Sequence, residues 1–172
     1  MHFRAVPLFS YALLAFLLVG CGDRSGLDVA EGRYRLVVEG SLADTLTGPA
    51  IVRSHGNGRV SIELGARGGP GLSLEVTLPD RGADVSGLRT RRYDVMAASL
   101  LNGPTANSPS GIVAFFSIAD RQFVATQGHL SVTDAGTGTV AGRIDVEMEE
   151  QESTTPGERT IRLRGTLRAT IP

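Results

Sequence analysis

The chain has one cysteine, no tryptophan and no lysine, so all 17 of its basic residues are arginine. Without lysine there is no Schiff-base chemistry and no lysine general base. A lone cysteine cannot close an intramolecular disulfide, so stability has to come from burial and strand pairing. Aromatic residues are few, and Phe3, Phe9, Phe16 and Tyr11 fall within the first twenty positions. The remainder, Tyr34, Tyr93, Phe115, Phe116 and Phe123, is a thin supply of stacking platforms for sugars or single-stranded nucleic acid. An excess of positive charge is missing too. With Arg4 set aside, 16 arginines face 18 carboxylates and form no basic block, which argues against nucleic acid as a partner.

What is present begins with a short basic start, Met1-His2-Phe3-Arg4, followed by an apolar stretch from Leu8 to Val19. This has the form of a secretory signal peptide. It is too short for a bilayer-spanning helix, which needs about 20 apolar residues, and polar Gly22-Asp23-Arg24-Ser25 follows it. The junction Leu18-Val19-Gly20-Cys21 resembles the lipobox of bacterial lipoproteins. That resemblance implies cleavage before Cys21, acylation of its thiol and amine, and anchoring in a membrane. Stable anchoring needs more than one acyl chain, as that class supplies. Gly22, and not aspartate, follows the cysteine. By the same resemblance this favours the outer membrane of a diderm bacterium, on its periplasmic or its outer face.

The division is therefore a signal peptide (1–20), a lipidated tether (21–30) and a single domain (31–172). From residue 33 onward, apolar residues recur at every second position between glycine and proline punctuation. Tyr34, Leu36 and Val38 alternate with polar neighbours, as do Val60, Ile62 and Leu64, and Leu72, Leu74 and Val76. Further strands are expected at 48–53, 89–95, 111–118, 121–133, 138–149 and 158–171, and Ile112 to Ile118 should be the most buried. Asn57-Gly58 marks a tight hairpin. Residues 95–101 have the composition of a short helix, and 102–110 that of a loop. The fold class is all-β, with about nine antiparallel strands in a β-sandwich and a closed β-barrel as the alternative.

The last fifty residues carry the sharpest structural inference. Arg143, Asp145, Glu147 and Glu149 share one strand face, and Arg162, Arg164 and Arg168 share a face of the next. Pairing as a hairpin sets Glu147 across from Arg162 and Asp145 from Arg164. Residues 121–171 then form a three-stranded meander. Glu150 and Glu152 read as its solvated end.

Chemical motifs do not survive inspection. Gly136 to Gly142 has one residue too many for a dinucleotide loop and precedes a strand. Gly71-Leu72-Ser73-Leu74-Glu75 is not a nucleophile elbow. His55 lies beside a turn, and His129 falls on a wet strand face; neither has a second ligand at metal spacing. No catalytic residue, metal or cofactor is expected. The densest basic cluster, Arg89, Arg91 and Arg92, is the candidate anion site, since guanidinium forks suit phosphate. The expected function is that of a lipid-anchored, non-enzymatic envelope protein with a structural or protein-interaction role. The alternative is a carrier for a small apolar ligand or lipid in a barrel interior. The expected partners are the membrane, through the acyl anchor at Cys21, and an envelope protein.

Overall fold

The computed structural model describes residues 29–66, 69–80, 82–97, 110–151 and 159–172. Cys21 and residues 1–20 lie outside them. The period-two alternation produces nine strands: β1 (Arg33–Gly40), β2 (Asp44–Gly56), β3 (Arg59–Gly65), β4 (Gly71–Thr77), β5 (Arg92–Asp94), β6 (Gly111–Ile118), β7 (Arg121–Ala135), β8 (Thr139–Glu150) and β9 (Thr160–Thr170). Asn57 and Gly58 both take positive φ, 53° and 69°, and turn β2 into β3 as the Asn-Gly pair predicts. A 3₁₀ turn, Val85–Gly87, is capped by the Asp84 carboxylate, which accepts the Ser86 N–H at 2.7 Å.

The chain meanders strand to neighbouring strand, and β9 then returns to β1, from Arg33 opposite Arg168 to Gly40 opposite Ile161. Eight strands close into a barrel. The all-β, nine-stranded expectation is met, and the sheet closes on itself instead of dividing into a β-sandwich. The β1–β9 ladder is the reason, because it pairs the two strands that would otherwise be edges. The ninth strand, β5, stays outside the ring. It pairs with His129–Ser131 of β7, beyond the Arg121–Val124 stretch that pairs with β6. The meander of β7, β8 and β9 has the predicted register, with Asp145 opposite Arg164 and Glu147 opposite Arg162. A helix over 95–101 is absent at Val95–Ala97, where Val95 bridges Ile112 and the Met96 N–H donates to the Ile112 carbonyl at 2.8 Å. Residues 98–109 and 152–158 lie outside the described stretches.

An eight-stranded barrel is just wide enough inside for side chains to fill it. Val52, Ile62, Leu74, Ala114, Val146 and Leu163 belong to one apolar cluster and have no exposed surface, so no water-sized space opens beside them. Ile112, Val113, Ala114 and Phe116 are equally buried, but the expectation for the whole of 112–118 fails at its end, where Phe115 and Ile118 are half-buried and Ser117 is exposed. β5 sends Tyr93 in beside Leu130, and Leu78 and Leu88 join the same core. Two irregularities in β7, around Thr126 and Thr133, shift which residues point inward. Phe123 and Ala125 give way to Leu130 and Val132. Gly128 makes the first shift possible, with φ +116° and no room for a Cβ against the Asp145 carbonyl.

Outward positions carry arginine and carboxylate while the interior is apolar. This is the reverse of a barrel whose outer wall faces lipid. Among the described residues no helix is long and apolar enough to cross a membrane. All nine described strands and the buried residues of the described core lie between residues 33 and 170.

Candidate functional site

The outer wall of β7, β8 and β9, with β5 at its margin, gathers the densest polar side chains. Antiparallel pairing brings His129 beside Asp145 and Gln127 beside Glu147 from β7, then Arg164 and Arg162 from β9. The Arg162 guanidinium grips Asp145 with two hydrogen bonds of 2.8 Å. Arg164 lies 3.8 Å from Asp145 and 3.7 Å from Glu39. Glu147 accepts from the Gln127 amide. Around these groups lies an open recess of about 310 Å³, with Arg92 and His129 on its rim.

The electrostatics follow from that geometry. Hydrogen bonding from Arg162 holds the Asp145 carboxyl below its ordinary value; partial burial opposes this, and the charges of Arg162, Arg164 and His129 add to it. Arg162 is correspondingly pushed up by its bond to Asp145. Asp145 is thus a fixed anion at neutral pH, already matched by a cation. The recess offers hydrogen bonds and local dipoles to a polar partner. Among the described residues, no cluster of three or more His, Cys, Asp or Glu could hold a metal ion.

The arginines singled out as an anion site take up separate tasks. Arg89 donates to the Ser86 and Leu88 carbonyls at 2.6 and 3.1 Å. Arg91 stacks over the Tyr93 ring at 4.6 Å, and Arg92 pairs with Asp94 at 2.6 Å. Cys21 lies outside the described residues. His55 contacts the Ser61 hydroxyl at 2.8 Å through its Nε2. Phe116 is core, whereas Phe115 is half-buried and lines a recess beside the Gly65–Gly71 turn.

One polar cluster escapes the strand-end reading of the sequence. Glu150 has a side chain only 6% exposed, gripped by Arg121 at 3.0 and 2.8 Å and approached by Arg159 at 3.4 Å. Arg121 also lies over the Phe123 ring at 5.0 Å. These bonds from Arg121 hold the Glu150 carboxyl below its ordinary value. The signal was available in parity, because Glu150 continues the inward set Val146, Met148 and Arg121 precedes the inward Phe123. The pair closes the barrel end opposite the 3₁₀ turn.

No protein-family model matches this chain, and no curated protein or solved structure matches it either. Function therefore has to be argued from the barrel and its walls.

Proposed function

We propose that this protein is a lipid-anchored, non-enzymatic β-barrel of the bacterial envelope that works by binding through its outer wall. The observation that carries this reading is the distribution of side chains. The interior is filled with apolar groups that leave no water-sized space beside the central layer, while the polar groups able to contact a partner stand outside, on β7, β8 and β9. The lipobox-like Leu18-Val19-Gly20-Cys21 supports acylation and an outer-membrane position. Expressing the full chain in a diderm host and analysing its N-terminal peptide tests the anchor. A peptide beginning at an acylated Cys21, with protein in the outer-membrane fraction, is the expected result. Soluble protein without acyl mass sinks the anchor. Cross-linking in the same cells tests the binding role, with a specific envelope protein as the expected product.

A carrier for a small apolar ligand is the second reading, and the closed barrel favours it. Loading would require side chains such as Tyr93 and Leu130 to move apart. Native mass spectrometry of the exported domain decides between them. A reproducible adduct supports the carrier; a bare mass leaves the outer wall as the working surface.

A further inference from the structure

One wall of the barrel is electrically divided along its length. Across β1, β9 and β8 the ladders set outward residues in rows: Arg33 beside Arg168, then Arg35, Thr166 and Arg143, then Val37, Arg164 and Asp145, then Glu39, Arg162 and Glu147. The first two rows hold four arginines and no carboxylate. The next two hold Arg162 and Arg164 against Glu39, Asp145 and Glu147, and these groups largely neutralise one another. Strands lie about 4.8 Å apart and same-face residues nearly 7 Å apart, so the four arginines start from a field of roughly 10 by 7 Å. Arg33 and Arg35 are exposed, while Arg143 and Arg168 also hold interactions within the protein. Beyond β8 the first row runs through Ala141 to the carboxylate Asp134 on β7, Glu31 precedes β1, and Asp84 lines the neighbouring recess.

The same end of the barrel has a second property. A recess of about 440 Å³ opens there between the 3₁₀ turn and the β7–β8 turn, lined on its apolar side by Val85, Ala135 and Ile171. Gly32, just before β1, lies at this end too, its carbonyl accepting from the Ala50 N–H. Exposed guanidiniums beside half-exposed apolar groups suit a phospholipid surface. Arginine forks donate to phosphate oxygens, and apolar side chains enter the headgroup boundary.

We propose that this arginine wall, with Arg33 and Arg35 foremost, docks on an anionic phospholipid surface. Docking there turns the Arg121–Glu150 end away from the membrane and leaves the β7–β8–β9 recess open to the aqueous side. The contact needs no acyl chain, so it stands or falls separately from the lipid anchor.

The test uses residues 22–172, which contain the whole closed sheet and lack the cysteine, in co-sedimentation with phosphatidylglycerol or phosphatidylcholine vesicles at low salt. Binding is expected to the first, to weaken steeply with added salt, and to be much weaker to the second. The double variant Arg33→Gln/Arg35→Gln should bind phosphatidylglycerol about twenty-five-fold more weakly, at roughly fivefold per arginine. Arg159→Gln removes an exposed arginine from the opposite end of the barrel and should change binding less than about twofold. Equal binding to both lipids, equal loss in both variants, or salt-insensitive binding by the parent overturns the proposal. Displacement by inorganic phosphate at constant ionic strength also overturns it, since that marks a small-anion site.

Discussion

Arg162 stands directly across from Glu147 in the β8–β9 ladder, yet it gives both of its 2.8 Å hydrogen bonds to Asp145, on the neighbouring rung. The twist of adjacent strands brings the diagonal carboxylate within reach of a long side chain. Glu147 is left to the Gln127 amide. A double-mutant cycle separates backbone register from side-chain choice. Arg162→Ala and Asp145→Ala should couple more strongly than Arg162→Ala and Glu147→Ala, whose charges act on each other without a direct hydrogen bond. Equal coupling in both cycles would contradict the diagonal pair.

Asp145 also predicts a pH dependence. Its carboxyl is held below the ordinary value in the folded state, so its stabilisation is fully present above the unfolded value and is lost as pH falls through the lower folded one. Asp145→Asn should cost about 0.5–1 kcal/mol at neutral pH, the upper part of the range for half-exposed pairs. The difference between parent and variant should shrink below about pH 4. Urea titrations across acidic pH measure this directly.

Glu150 should matter more than its place at a strand end suggests. Replacing it with alanine removes the partner of Arg121 and opens a nearly buried polar site. The melting temperature of Glu150→Ala should fall further than that of Glu149→Ala, whose side chain is exposed on the same strand. The acid sign is the same as for Asp145, because the Glu150 carboxyl is also held down. Equal melting temperatures for the two variants would remove Glu150 from the barrel's closure.

Gly128 tests the irregularity that shifts β7. An alanine there meets both a φ of +116° and the Asp145 carbonyl. The strain should cost about 2–4 kcal/mol. A melting curve for Gly128→Ala close to that of the parent would mean that β7 can resettle without its shift.

In the core, Leu163 has no exposed surface and lies between Val38 on β1 and Val146 on β8. Leu163→Ala should destabilise by about 2–5 kcal/mol. Chemical denaturation with an unchanged slope checks that the loss is one of packing and not of compactness.

The sequence by itself determined the strands, their inward faces and the register of the C-terminal hairpin, because a period of two is a local property that the chain displays residue by residue. Glycine and Asn-Gly positions placed turns for the same reason. Closure was beyond its reach. The ladder joining Arg33–Gly40 to Ile161–Arg168 links residues more than a hundred positions apart, and alternation reads alike in a sandwich and in a barrel. The shifts in β7 were equally hidden, since an extra residue changes parity only relative to a partner strand. The rows that set Arg33 beside Arg168 exist only once the sheet has curled shut, whereas Arg121 reaches Glu150 within the β7–β8 pairing. Composition fixed which charges the wall would carry; tertiary structure decided which of them became neighbours, because side-chain reach acts across strands and not along the chain.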